Sequence, residues 1–161
     1  KLFLQTGAEL AFFGEKDFQQ LHVVRRMARD LDIPIEIVAC RTVREEDGLA
    51  MSSRNVRLSA SERQAAPKLA EFLVETADRL TAGAPADSVL KQARQAILSA
   101  GYREVEYLEL RADDDLSPLD AAERPARLLV AAWLGDVRLI DNVSVRPRRA
   151  SSEGFSPAEA A

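Results

Sequence analysis

The stretch ELAFFGEKDFQQLHVVRRMARDLDIPIEIVA, residues 9–39, decides the fold. Residues 9–13 form a short apolar run that stops at Gly14. Beyond it Phe18, Leu21, Val24 or Arg25, Ala28 and Leu31 recur at helical spacing. Pro34 cannot continue a helix, and the β-branched run at 35–39 reads as a second buried strand. Strand, helix, strand in this order predicts a βαβ unit in which residues 9–13 and 35–39 run parallel. The crossover is a helix from about Asp17 to Leu31, because parallel neighbours cannot be joined by a tight turn. Two strands do not make a stable sheet of this class, so further strands are expected ahead of Lys1, and the chain, which begins without Met, reads as cut from a larger protein. An apolar edge should lie open where those strands would pair.

Downstream, residues 41–58 keep neither the helical nor the strand period and read as a functional loop containing Gly48 and the run Ser52, Ser53, Arg54, Asn55. Ser59 with Glu62 matches a capping box, and Ala65, Leu69, Phe72, Leu73, Thr76 and Leu80 mark a helical apolar face with Pro67 expected to kink it. After the break at Gly83 and Pro85, Val89, Leu90, Ala93, Ile97 and Ala100 mark a second helix that stops at Gly101. Val105, Tyr107, Leu108 and Leu110 read as a strand, and the runs at 127–134 and 137–145 flank Gly135 and Asp136 as a hairpin. The fold class is therefore α/β: part of a parallel sheet, then a small α+β domain with a three-stranded antiparallel sheet. Residues 1–42 and 43–147 are the expected units, and 148–161, rich in Pro, Ser and Ala, is expected to be a disordered tail.

Composition narrows the function classes. With 47% hydrophobic and 30% charged residues the 161-residue chain reads as soluble and globular, and its net charge of −4 gives no global attraction for nucleic acid. Arg146, Arg148 and Arg149 are too few, without interleaved aromatics, to change that. No apolar run approaches the ~20 residues that span a bilayer, and a single Cys40, read as a small buried hydrophobe, fits a reducing cytoplasm. Asp113, Asp114 and Asp115 read as a solvated loop rather than a metal site, and His22, alone on its helix, as structural.

Two constellations carry chemistry. Gly14, Glu15, Lys16 and Asp17 sit where a strand gives way to a helix, the position at which open α/β sheets bind ligands. Backbone N–H groups at the helix start favour an anion, Lys16 adds a positive charge, and Asp17 is suited to cap the helix or to accept ribose hydroxyls. The bland alternative is ordinary turn chemistry. In the second, Met51, Ser52, Ser53 and Arg54 place two hydroxyls and a guanidinium in a mobile loop able to close on a polyphosphate, against the alternative of a solvated linker.

Taken in order, FFGEKDFQQL (12–21), RTVREEDGLAMSSRN (41–55), RLSASERQAA (57–66) and RLIDNV (138–143) resemble the pantothenate synthetase family. The resemblance implies a Rossmann-like nucleotidyltransferase sheet. It also implies ATP-dependent condensation of pantoate with β-alanine through a pantoyl adenylate, releasing AMP and pyrophosphate with help from Mg²⁺. By the same resemblance Gly14, Glu15, Lys16 and Asp17 bind ATP, Lys16 at phosphate and Gly14 and Asp17 at the ribose. Gln20 holds pantoate, the backbone of Val43 meets adenine, and Met51, Ser52, Ser53 and Arg54 close over the phosphates. Lys16 and Arg54 then carry catalysis by offsetting charge, and a homodimer is implied. The family's HxGH motif is absent, since His22 is the single histidine, and so are its second pantoate glutamine and acidic metal-binding residues. Two other readings stand beside this one: an inactive folded fragment that only binds or dimerises, and another adenylate-forming enzyme of the same class.

Overall fold

The computed structural model describes residues 1–147. A short helix α1 (Leu2–Thr6), closed by Gly7 in the left-handed conformation, precedes the first strand. Strand β1 (Leu10–Gly14), a single turn of 3₁₀ helix (Glu15–Asp17), helix α2 (Phe18–Asp30) and strand β2 (Glu36–Cys40) follow. The strands pair parallel, from Leu10 opposite Glu36 to Gly14 opposite Cys40, as the βαβ reading requires. Helix α2 buries Phe18, Leu21 and Ala28, whereas Leu31, expected on that face, lies beyond the helix end and is 65% exposed.

The expected apolar opening is there. Phe12 is 65% and Leu10 47% exposed on β1, which has β2 as its one partner strand among the described residues. On the neighbouring position Phe13 is covered by α1, whose Phe3 ring meets it edge-on at 6.3 Å. That helix was not foreseen, because five residues are too few to show a helical period. Cys40, expected to be buried, is exposed. It is the last residue of β2, where the chain leaves the sheet.

A three-stranded antiparallel sheet of order β3 (Glu104–Ala112), β4 (Ala126–Leu134) and β5 (Val137–Val145) forms the second half. Helices α3 (Ala60–Ala65), α4 (Lys68–Thr81) and α5 (Ala86–Ser99) precede it. Both halves of the capping box at α3 are made: Glu62 N–H to Ser59 Oγ at 3.4 Å and Ser59 N–H to Glu62 Oε2 at 2.8 Å. Pro67 does more than kink the helix; it divides it, taking the N-cap of α4, where a missing N–H leaves nothing unpaired. Tyr102 Oη donates to the carbonyl of Ala66 beside this break at 2.8 Å. Burial pushes the Tyr102 phenol well above its ordinary pKa, so it stays a donor.

Strand β4 explains how the two sheets meet. Leu128 and Val130 face α4 and α5 with Leu69, Leu73, Leu80, Val89 and Ile97. Leu129, between them, faces Phe18 and Leu21 of α2. A strand covered on both faces needs an unbroken apolar run, and residues 128–132 provide one. Helix α2 is thereby docked on the antiparallel sheet, and the end of β1 is brought beside β5. The expected tail, 148–161, lies outside the described residues.

Gly135, in the two-residue hairpin between β4 and β5, has φ +55°, and a Cβ there would stand 1.8 Å from Glu62 Oε1. Gly135→Ala is therefore expected to lose about 1–2 kcal/mol for the left-handed conformation alone, more where Glu62 leaves its capping box. Denaturant unfolding of the two chains side by side checks this.

Candidate functional site

Gly14 ends β1 at φ −69° and ψ 134°, angles open to any residue, and a Cβ added to it would meet no atom within 4 Å. Neither backbone strain nor the packing of this chain calls for glycine there. The 3₁₀ turn that follows carries Glu15, Lys16 and Asp17. Asp17 stands at the N-cap of α2 but makes no capping hydrogen bond, so of the two uses read from the sequence the cap is not taken. Burial holds the Lys16 ammonium below its ordinary pKa, opposed by the carboxylates of Asp17 and Asp141 and reinforced by the charge of Arg54. Of these influences that of Arg54, distant in sequence, is the weakest.

The backbone under Lys16 is gripped from β5. Asn142 Nδ2 donates to the carbonyls of Glu15 at 2.9 Å and Lys16 at 3.0 Å. Its Oδ1 accepts from Arg127 Nη1 at 3.0 Å. Arg127 lies over the Phe18 ring at 3.9 Å and donates to Asp113 through Nε at 3.1 Å.

Residues 43–51, expected to be part of a mobile loop, form a pinned hairpin. Met51 N–H donates to Val43 O at 2.9 Å, and Glu45 N–H to Leu49 O at 2.8 Å. Arg44 reaches the buried Asp141 with both prongs, at 2.6 and 2.9 Å, and also donates to Gly48 O at 3.0 Å. Asn55, itself buried, donates to Glu45 Oε1 at 2.8 Å and Ala50 O at 3.2 Å, and Arg63 pairs with Glu45 and Asp47. Above this base the segment with Ser53 and Arg54 is exposed. Ser52 Oγ accepts the Arg54 N–H at 3.2 Å, and Arg54 leads into a 3₁₀ turn (Asn55–Arg57).

The remaining predicted positions scatter more widely. Val43 is 65% exposed with its carbonyl already engaged, Met51 is 55% exposed, and Gln20 is exposed on α2. His22 tilts against Phe18, ring centres 4.8 Å apart. Asp113 pairs with Arg127, and Asp114 and Asp115 pair with Arg124, so the three aspartates are engaged in ion pairs. A cleft of about 450 Å³ opens beside the turn, lined by Glu15, Arg41, Arg44, Arg127 and Asn142 among others. A larger one of about 650 Å³ lies between α2 and residues 113–116, and neither cleft is lined by Lys16 or Arg54. The motifs and the polar joint that ties them to β5, not cavity size, assign the site. The sequence reading assigns no role to Arg44, Arg127, Asp141 or Asn142, although an Asp-Asn pair flanked by Leu139, Ile140 and Val143 is the kind of signal that marks a buried polar joint.

Comparison with known proteins agrees with this geometry. The profile of the family described as Pantoate-beta-alanine ligase matches residues 1–144. A pantothenate synthetase from Chelativorans sp. is 72% identical over 145 residues, covering 90% of this chain and 51% of the relative. One from Roseobacter denitrificans is 59% identical over the same coverage. The crystal structure of pantothenate synthetase from Thermus thermophilus superposes with TM-score 0.84 at 44% identity, covering 91% of this chain and 53% of that one. A pantoate-beta-alanine ligase from Francisella tularensis, complexed with Beta-gamma ATP and Beta-alanine, superposes with TM-score 0.66 at 29% identity, covering 88% and 46%. The chain spans about half the length of the curated relatives it matches. A parallel βαβ unit docked on a three-stranded sheet, and a profile match across almost the whole of the described chain, establish that it belongs to the pantoate-beta-alanine ligase family.

Proposed function

We propose that the chain supplies one wall of a site that condenses pantoate with β-alanine at the expense of ATP. The observation that carries the reading is the Lys16 turn at the C-terminal end of a parallel strand, held by Asn142 next to the Asp141–Arg44 joint that pins the base of the 52–54 segment. Desolvating an ammonium beside a guanidinium is unfavourable for the empty protein and becomes favourable once a polyanion stands between them. The open space before Gly14 lets a ligand approach the backbone closely, which accounts for a glycine that nothing within the chain requires.

In the proposed reaction a carboxylate oxygen of pantoate attacks the α-phosphorus of ATP, and the bond to the bridging oxygen breaks with departure of pyrophosphate. The amine of β-alanine then attacks the acyl carbon of pantoyl adenylate, loses a proton, and AMP leaves. No protein nucleophile takes part. Lys16 and Arg54 offset charge developing on the phosphates, while Ser52 and Ser53 are available as hydroxyl donors. Asp17, free of the helix cap, and Gly14 are assigned to the ribose, Glu15 to the same nucleotide segment, the backbone of Val43 to the adenine, Met51 with Ser52, Ser53 and Arg54 to the loop over the phosphates, and Gln20 to pantoate. Mg²⁺ belongs to the proposal through the family. Among the described residues no group of three or more His, Cys, Asp or Glu side chains is placed to hold a metal ion, so no step is routed through one.

Residues 1–42 are proposed to complete the nucleotide and pantoate domain, and 43–147 to form the C-terminal domain, of a cytoplasmic homodimer. No helix among the described residues is long and apolar enough to cross a membrane. The test is product formation by the chain extended upstream to the length of its relatives. AMP and pantothenate should appear in equal amounts, and omission of ATP, pantoate or β-alanine should abolish both. AMP formed at the same rate without pantoate would overturn the reading.

A further inference from the structure

Two adjacent residues of β5 reach the two phosphate-facing segments separately. Asn142 holds the turn of Lys16 by two carbonyls, and Asp141 holds the hairpin at the base of the Arg54 segment by the two-pronged contact with Arg44. The pair is itself fixed, because Asn142 N–H donates to Asp141 Oδ1 at 2.8 Å and Arg127 braces Asn142 Oδ1. Both side chains are buried, at 4% and 5% exposure, within a strand packed against the core.

We infer that Asp141 and Asn142 are positioning residues that index the Lys16 turn against the Arg54 segment, so that the spacing of the two cations is set by one rigid strand. The inference rests on the proposed adenylation chemistry and adds residues that touch no substrate. A neighbouring pair on a strand cannot move independently, so anything that shifts one tether shifts the distance between the cations rather than the position of both together. Spacing matters most in the step that transfers the α-phosphoryl group. It matters least when β-alanine attacks an acyl group already activated. An error near 1 Å in such an arrangement costs roughly a hundredfold in rate.

The test compares two half-reactions on one preparation of the extended chain: pantoate-dependent exchange of pyrophosphate into ATP, and release of AMP from supplied pantoyl adenylate by β-alanine. Their ratio does not depend on the folded fraction, which a merely structural role would change. Asn142→Ala is expected to lower the ratio of exchange to transfer at least about tenfold. Arg44→Lys, which keeps the charge but loses the fork, is expected to lower it in the same direction and serves wherever Asn142→Ala does not fold. An unchanged ratio in a folded variant overturns the inference. Absence of exchange in the unsubstituted extended chain would overturn the functional reading instead.

Discussion

Incubated with ATP, pantoate and β-alanine, the 161-residue chain by itself is expected to form no measurable AMP or pantothenate. In the proposed site Lys16 and Arg54 would approach the phosphates from one side only. The HxGH motif and second pantoate glutamine that the resemblance implies for the opposite side are not among these residues. Effective molarities of well-aligned reactants correspond to about 7–11 kcal/mol of barrier, and most of that is lost when one wall of a site is missing and water enters. Binding of ATP alone does not decide the matter, since Gly14, Lys16 and the 52–54 segment remain. Mixing the chain with a separately produced N-terminal half of a relative should restore turnover, the exposed Leu10 and Phe12 offering an apolar edge for reassembly. Turnover by the chain alone would show the catalytic centre to be misplaced.

In the extended chain, Lys16→Ala should slow adenylate formation by about 10²–10³-fold, the loss typical of removing one donor aimed at transition-state charge. Arg54→Ala should cost about 1.5–3 kcal/mol of the same barrier, as a charge-assisted phosphate contact does. Stability should not fall with rate. The Lys16 pKa lies below its ordinary 10.5, so the folded chain holds that proton less tightly than the unfolded one. The resulting deficit in stability is present below the depressed pKa and disappears as pH rises towards 10.5, and Lys16→Ala removes it. At pH 7 the variant is expected to unfold no earlier than its parent. Bound phosphates would raise the Lys16 pKa again, so nucleotide affinity should weaken on the alkaline side as Lys16 loses its proton, and Lys16→Arg should remove that dependence. Early unfolding of Lys16→Ala, with activity lost in proportion, would make Lys16 a structural residue.

Much of this architecture was legible because it is local. Gly14 and Pro34 bracket a helical period between two apolar runs, and that alone carries the parallel unit. Gly135 marks the hairpin, and Ser59 with Glu62 the helix start. Pro67 reads as a kink because periodicity continues across it; in the structure it takes the N-cap of α4, a tertiary outcome beside which Tyr102 donates to Ala66 O. The positions of Lys16 and Arg54 were read from motif and resemblance, but nothing local said what holds them. Arg44 meets Asp141, and Asn142 meets Glu15 and Lys16, across about a hundred residues or more of sequence, in a fold where Leu129 packs against Phe18 and Leu21 of α2. Burial of Cys40 was inferred from type and fails for the same reason: exposure belongs to tertiary position.

The most direct test of the account is pantoate-dependent exchange of labelled pyrophosphate into ATP by the extended chain, with β-alanine left out. Exchange that requires pantoate and falls about 10²-fold or more in Lys16→Ala, with unfolding unchanged, is the predicted result. Exchange that proceeds without pantoate, or that survives Lys16→Ala at the parental rate, would contradict it.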